Sequence, residues 1–391
     1  MELSSLDQGH FRAIIIGAGQ AGLAAAHELL RRGLTPGEDF LVLDANDGPG
    51  GAWRHRWDSL TLGTVHGIAD LPGLPMNRPD PAIPASRLVA EYYGAYEQEF
   101  GLRVVRPAHV TRVESAGEQL SVTATGPDTA SATTTTDILL SATGTWNNPH
   151  VPHIPGIETF CGHQLHTKDY TRKEDFAGLR TLVVGGGLSA VQFLLELQGV
   201  TETIWATRRP PNFTSREFDA TWGLEVEQSV RERTSHGQAP ASVVRTTGIP
   251  QVERYLQGVA DGVLVSRGMF DRVTPAGVVF GSPLATTTGG VGPAAHDELQ
   301  VPESWDPYPP GTEVDADVIF WNTGFRHSLR HLAPLKLREP GGGILMDGEV
   351  RVPKDPRVLL VGYGSTASTV GATRAGRRAG QAAIRYLKSR A

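Results

Sequence analysis

The sequence predicts an α/β fold made of two doubly wound parallel-sheet units, and three observations predict it. An apolar run, Ile14-Ile15-Ile16, enters a glycine turn, Gly17-Ala18-Gly19-Gln20-Ala21-Gly22. The same strand–turn–helix pattern returns about 170 residues later at Gly185-Gly186-Gly187-Leu188-Ser189-Ala190, an internal duplication. Each copy then runs through a helix-length stretch into a second short apolar strand.

Three consecutive isoleucines are β-branched, apolar on both faces and too few for a helix, so they fit a buried parallel strand. In the turn after them the first glycine permits a tight reversal and the second admits a pyrophosphate. The third lets a helix pack closely on the strand. A helix over 20–32 puts Leu23, Ala26, Leu29 and Leu30 on one face; Arg31 and Arg32 suit its negative end and Gly33 its C′ position. Amides at the helix start can hold phosphate oxygens. A glycine pattern by itself is equally compatible with a plain turn, and its surroundings decide. Here they include Phe40-Leu41-Val42-Leu43, a second buried strand ending in Asp44, about 20 residues past the glycines. An acid at that point accepts both hydroxyls of an adenosine ribose; its bland alternative is a solvated turn residue.

Composition sets the bounds. At 391 residues the chain accommodates two or three domains. With 46 glycines, 27 prolines and 20% charged residues it reads as a loop-rich folded protein and not a disordered one. A net charge of −6 argues against nucleic acid as a partner. One cysteine, Cys161, excludes an intramolecular disulfide, a CxxC redox pair and a cysteine-based zinc site, and no metal site is expected. The start lacks a basic region followed by an apolar run, and no apolar stretch approaches the ~20 residues needed to cross a bilayer. A cytoplasmic protein with no membrane partner is expected.

After Asp44 a second glycine cluster, Gly48-Pro49-Gly50-Gly51-Ala52-Trp53, precedes Arg54-His55-Arg56-Trp57-Asp58-Ser59-Leu60. Close to a pyrophosphate, this loop is placed to present an aromatic wall to a flat ring; otherwise it is a surface turn. Proline-rich connectors lead to Ser86, a candidate N-cap for a helix through Tyr92, Tyr93, Tyr96 and Phe100. Residues of about 104–142 read as a β-meander: Val110-Thr111-Arg112-Val113, Leu120-Ser121-Val122-Thr123 and Ile138-Leu139-Leu140-Ser141. Thr133-Thr134-Thr135-Thr136 is the expected turn between the last two. The first domain is thus expected over 1–150.

Prolines from 149 to 155 open a second domain, expected over 151–317. There Thr181-Leu182-Val183-Val184 enters the repeated glycine turn, a helix covers 188–197, and Thr203-Ile204-Trp205-Ala206 is the second strand. That strand ends in Thr207-Arg208-Arg209 where the first copy has Asp44. An acid would repel a ribose 2′-phosphate and arginine would bind it, which favours NADPH over NADH. Two arginines at a strand end are otherwise a solvated tip. Residues 210–313 are the least legible, with helical stretches near 226–233 and 251–256, a strand-like Gly262-Val263-Leu264-Val265, and loops expected on the substrate side. Val318-Ile319-Phe320-Trp321 reads as the strand that returns the chain to the first domain, over 318–391. A strand Val358-Leu359-Leu360-Val361 and a long helix close the chain. Arg374, Arg377, Arg378, Arg385 and Lys388 on that helix read as a solvated face and a dipole match.

With these pieces in place, the chain resembles the single-component, NADPH-using (class B) flavin-containing monooxygenases over nearly its full length. Phe160-Cys161-Gly162-His163-Gln164-Leu165-His166-Thr167-Lys168-Asp169-Tyr170 fits that family's FxGxxxHxxxY signature, just before the second glycine turn. Gly50-Gly51-Ala52-Trp53 looks like its GGxW loop, Ala142-Thr143-Gly144-Thr145-Trp146 like its ATG hinge, and Asn322-Thr323-Gly324-Phe325 like its second hinge. Trp57-Asp58-Ser59-Leu60 and Gln164-Leu165-His166-Thr167 look most like the compact bacterial members of arsenic operons. One departure stands out: where many members carry an active-site asparagine after the GGxW loop, this chain has Gly63, with Thr64 and His66 nearby.

The resemblance implies two Rossmann-like dinucleotide-binding domains, the NADPH domain inserted into the FAD domain, with the meander in the first. FAD is then expected on Gly17, Gly19, Gln20, Ala21, Gly22 and Asp44, on Gly51, Ala52, Trp53, Leu60 and Val110, and on Ala142, Thr143, Gly144, Gly324, Phe325 and Gly362. NADPH is expected on Gly185, Gly187, Leu188, Ser189, Ala190, Gln192, Arg208, Arg209 and Tyr170. His166 and Tyr170 are also expected to be architectural, and Cys161 needs no redox role. Trp53, Trp57, Thr64 and His66 are the expected lining of the active site, with no catalytic side chain assigned. The family's chemistry passes a hydride from nicotinamide to flavin. It then delivers one atom of O2 to a small-molecule substrate through a C4a-(hydro)peroxyflavin. The rival expectations are an NADPH–flavin oxidase that releases hydrogen peroxide, motivated by Gly63, and a redox-sensing flavoprotein without catalysis. A homodimer is compatible with the sequence.

Overall fold

The computed structural model describes residues 3–65, 67–78, 80–127, 130–216, 220–241, 243–367 and 369–390. Among them no helix is long and apolar enough to cross a membrane. The chain forms two compact units, each gathered from separate stretches. Met1–Asn147, Val230–Pro240 and His327–Ala391 make the first, and Asn148–Ser229 and Ala241–Arg326 the second.

In the first unit β1 (His10–Ile16) leads through α1 (Gln20–Arg31) to β2 (Phe40–Leu43). Helix α2 (Ala85–Glu99) and strands β3 (His109–Ala116), β4 (Gln119–Thr125) and β5 (Ser131–Ser141) follow. Strand β1 pairs in parallel with β2 and β5, and all four β2 residues are buried, as an apolar run between two layers requires. Strand β5 serves two purposes. Its first half pairs antiparallel with β4 in the meander, and its second half pairs in parallel with Val358–Leu360. The threonines 133–136, expected as a turn, lie inside β5 opposite 120–123, because β-branched threonine fits the pleated surface of a strand.

Helix α1 ends as expected, with Arg32 at the C-cap. Helix α2 begins two residues earlier than expected: Pro84 is its N-cap and Ser86 lies inside it, 9% exposed. The C-terminal helix Thr369–Arg390 packs on α1 through glycines four apart. A Cβ on Gly376 would lie 2.3 Å from the Ala21 carbonyl oxygen, and one on Gly380 would lie 2.7 Å from Glu28 Cβ. Gln20 Nε2 donates to Thr373 Oγ1 at 2.8 Å across the same contact. Arg374 and Arg378 are not merely a solvated face. With Arg231 they surround the carboxylate of Glu349, whose side chain is 2% exposed.

The second unit holds β6 (His163–His166), β7 (Arg180–Val184), α3 (Leu188–Leu197) and β8 (Glu202–Ala206). Its sheet runs β6, Val318–Trp321, β7, β8, all in parallel. Val318–Trp321 therefore does not return the chain to the first unit. Buried along its whole length, it fills the slot between β6 and β7, and the return comes at His327. Residues 262–264 are a turn and 265 is irregular, so no strand forms there. The strands of that region are Phe270–Thr274 and Gly277–Phe280, an antiparallel hairpin extended by Glu313–Asp315. The helices expected near 226–233 and 251–256 are Ala220–Ser235 and Glu253–Ala260, and the last six residues of the former belong to the first unit.

One buried pair in the first unit makes its stability depend on pH. His331 is 5% exposed, its Nε2 lies 3.1 Å from Ser141 Oγ at the end of β5, and burial pulls its pKa down from 6.5 to about 4, with His109 adding to the shift. The unfolded chain takes up this proton first, so the contribution is whole above pH 6.5 and is lost as pH falls toward 4. Between pH 7.5 and 5 one such group costs about 2 kcal/mol of stability. Denaturant titrations of wild type and His331→Gln at both pH values check this. The variant is expected to lose about 2 kcal/mol less on acidification, and equal losses contradict the assignment.

Candidate dinucleotide sites

The first glycine turn is shaped by backbone contact. Gly17 has φ +98°, and a Cβ there would sit 2.5 Å from the carbonyl oxygen of Ala142, the residue after β5. A Cβ on Gly22 would sit 1.8 Å from the Gly17 carbonyl oxygen. Gly19 is the N-cap of α1 with no side-chain cap, so amides of the helix's first turn are left for a ligand's oxygens. The GGxW loop reaches back here: a Cβ on Gly51 would lie 2.8 Å from Gly19 Cα. A turn of bare backbone with uncapped amides fits a dinucleotide pyrophosphate.

Asp44 is 5% exposed at the end of β2 and is not a solvated turn residue. Arg106 Nε donates to its Oδ2 at 2.8 Å, and Asn46 Nδ2 donates to its Oδ1 at 3.3 Å. Arg106 also grips Glu97 of α2 with both terminal nitrogens, at 2.6 and 2.7 Å. Burial works against the charge of Arg106, but its hydrogen bonds to Glu97 and Asp44 outweigh that and raise its pKa. The carboxylate is thus fixed in place with acceptor capacity on Oδ1 to spare, which suits a ribose diol. Nothing in the sequence marked Arg106, which lies 62 residues from Asp44 with no periodicity to join them.

The other expected residues divide. Ala52 is exposed, Trp53 is partly buried against the core, and Trp57 is 8% exposed with its carbonyl accepting from the Leu60 amide at 3.1 Å. Val110 is buried in β3, and Gly362 follows Val358–Leu360. Thr143 Oγ1 donates to the Ser328 carbonyl at 2.8 Å and the Gly144 carbonyl accepts from the Ser328 amide at 3.0 Å, so the ATG segment is tied to the returning chain within the first unit. Thr64 is exposed and bonded to its own turn at Thr61; His66 lies outside the described residues.

The second turn repeats the contact. Gly185 has φ +138°, and a Cβ there would sit 2.2 Å from the carbonyl oxygen of Asn322, the residue after Val318–Trp321. Gly187 is the uncapped N-cap of α3, and a Cβ on it would meet nothing within 4 Å. Leu188, Ser189 and Gln192 are half-buried on the first turns of α3, and Ala190, fully buried, takes the place of Gly22. At the acid position stands Thr207, 3% exposed, its Oγ1 2.6 Å from Ser266 Oγ. Arg208 is exposed and Arg209 half-buried. Burial, then Arg326 and Arg208, hold the His150 pKa below its usual value, so both arginines lie near enough to act on this corner of the unit.

Three residues take other places than expected. Tyr170 is 3% exposed, its hydroxyl on Glu196 Oε1 at 2.8 Å and its ring 4.5 Å from Phe193, which makes it a core residue under α3, as its architectural expectation has it, and not a lining of the turn. Gly324 and Phe325 belong to the second unit, because they follow its central strand by only a few residues. The Gly324 carbonyl accepts from the His150 amide and lies 3.0 Å from His166 Nε2, and the Phe325 ring meets the His166 ring edge-on at 4.8 Å. His166 is 4% exposed and burial lowers its pKa, which suits a structural residue.

Comparison with known proteins agrees with this geometry. The family model for pyridine nucleotide-disulphide oxidoreductases matches residues 14–255, more than half of the chain. A solved flavin-containing monooxygenase from Stenotrophomonas maltophilia is 33% identical, superposes with a TM-score of 0.72, and is matched over 97% of this chain and 99% of its own. A Baeyer-Villiger monooxygenase of Streptomyces coelicolor is 32% identical over 63% of this chain and 46% of its own length. The indole-3-pyruvate monooxygenase YUCCA1 of Oryza sativa subsp. japonica is 36% identical over 47% of this chain and 44% of its own. The chain thus spans about half the length of these curated relatives. Two glycine turns of one design, matched end to end by a solved relative, place the chain in the pyridine nucleotide-disulphide oxidoreductase family and, within it, among the flavin-containing monooxygenases.

Proposed function

We propose that the chain is a monooxygenase that uses NADPH to reduce FAD and transfers one oxygen atom of O2 to a small-molecule substrate. The observation that carries this reading is the opposite ending of two otherwise equivalent turns: Asp44 after the first, Thr207-Arg208-Arg209 after the second. FAD on the first unit supplies the redox and oxygen chemistry. The chain's own part is to hold it: amides after Gly19 meet the pyrophosphate, and Asp44, fixed by Arg106, accepts the adenosine ribose hydroxyls. On the second unit the amides after Gly187 meet a pyrophosphate, and Arg208 and Arg209 meet the 2′-phosphate that distinguishes NADPH from NADH.

The reaction is tested by mass spectrometry of products formed from sulfides, amines and ketones under labelled O2, with NADPH and hydrogen peroxide followed in parallel. The expected result is a product carrying one labelled oxygen per NADPH consumed. Stoichiometric peroxide with every compound and no labelled product would replace the reading by an NADPH oxidase, the outcome that Gly63 at the usual asparagine position motivates.

The two ends of the cofactors are separable. Asp44→Asn is expected to weaken FAD binding to stripped enzyme by about tenfold or more, the scale of a charge-assisted hydrogen bond, and to leave FMN, which has no adenosine, unchanged. Fluorescence titration of both flavins checks this, and equal losses mean a general folding defect. Arg208→Ala with Arg209→Ala is expected to raise the NADPH KM by about 10- to 100-fold while the NADH KM moves less than threefold. Steady-state kinetics with both nucleotides decide it, and parallel changes contradict the 2′-phosphate role.

A further inference from the structure

Arg56 follows the short 3₁₀ turn Gly51–His55 in the first unit and occupies its C-cap. Its neighbour Arg54 is conventionally satisfied, donating to the Asp47 carboxylate and the Pro49 carbonyl, both at 2.6 Å. Arg56 is not. Its guanidinium carbon lies 4.3 Å from the ring centre of Trp146 and 5.7 Å from that of Trp57, and both indoles are buried, 7% and 8% exposed. His55 lies parallel to Trp146, its ring 6.3 Å away with 11° between the planes, and its Nε2 lies 2.7 Å from Asn46 Oδ1, next to Asp44. Among the described residues no carboxylate or carbonyl accepts a hydrogen bond from Arg56. Burial alone acts on it, pulling its pKa down to about 10, with no acid to oppose the shift.

Arg56 is half-buried; partly withdrawing a guanidinium from water without an anion is unfavourable, and two indoles compensate only part of the lost hydration. Arg106, in the same unit, shows the usual solution, two carboxylates on one guanidinium. The unused fork of N–H donors on Arg56 matches a carboxylate or phosphate group in two-point fashion. Held by the indoles, it loses little freedom on binding.

We propose that Arg56 is an oxyanion-binding side chain, clamped by Trp146 and Trp57 so that it receives the carboxylate or phosphate of a bound ligand. The source is either a carboxylated aromatic substrate or a cofactor phosphate. This goes beyond the cofactor assignments above and rests on the flavoenzyme reading only in the choice of probes.

The test uses the purified FAD-loaded enzyme, wild type beside Arg56→Met and Arg56→Lys. FAD retention is measured first, against riboflavin as the phosphate-free control. Then NADP⁺, indole-3-acetate and the neutral control indole are titrated by perturbation of the flavin spectrum. The expected result is a loss of at least tenfold in affinity for one of the anionic ligands in Arg56→Met, partial recovery in Arg56→Lys, and no change for riboflavin or indole. Loss confined to indole-3-acetate assigns the site to a substrate carboxylate; loss confined to NADP⁺ or FAD assigns it to a cofactor phosphate. Affinities within twofold of wild type for all three anions overturn the proposal, including the case in which neither protein binds indole-3-acetate. Equal weakening of charged and neutral ligands, with the same fall in Tm for both variants, also overturns it, since packing alone would explain that. A wild-type protein that purifies without FAD and takes none up contradicts the flavoenzyme reading instead.

Discussion

Both nucleotide turns depend on the same close approach of backbone to backbone. The first glycine of each, Gly17 and Gly185, presses against the carbonyl of the residue just after the neighbouring central strand, Ala142 in one unit and Asn322 in the other. A side chain at either position would meet that carbonyl and carry a positive φ, a strain of about 1–3 kcal/mol before any clash is counted. The contact fixes where the following helix begins, and therefore where its uncapped amides lie. It also explains why residues distant in sequence, the ends of β5 and of Val318–Trp321, belong to the sites as firmly as the glycines do.

On this shared frame the two units differ mainly in charge at the second strand's end. Asp44 is not a free carboxylate but one member of a buried group with Arg106 and Glu97. Removing one partner from such a group is costly, about 3–5 kcal/mol, so the group holds the acid's geometry before any ligand arrives. The second unit puts a neutral threonine at the equivalent point and leaves Arg208 in solvent. On the proposed reading one frame thus offers an acceptor for hydroxyls and the other a cation for phosphate.

Much of this was legible because it is local. Isoleucine runs, glycine spacing and the helix ends are set by residues within a few positions of one another, and the duplication made the second copy readable from the first. What escaped was non-local or ambiguous. Val318–Trp321 is equally apolar whichever sheet takes it, so its place between β6 and β7 could not be read from four residues. The threonines of β5 have the polarity of a turn and the branching of a strand, and pairing with β4 decided between them. Tyr170 carried two expectations, an architectural role and a place on the turn, because a signature motif does not say which of its residues face a ligand and which face a core; its packing fits the architectural one. Arg106 and Arg56 acquire meaning only from partners that folding brings to them.

The central claim is that each glycine turn has its own dinucleotide. Gly187→Leu tests it most directly, because a Cβ at that N-cap meets nothing within 4 Å, while on the proposed reading a longer side chain there stands where a pyrophosphate binds. Flavin stoichiometry and NADP⁺ titration are measured on the same preparation. The account predicts one FAD per chain, as in wild type, with NADP⁺ binding abolished. Loss of FAD together with NADP⁺, or retention of both, would contradict it.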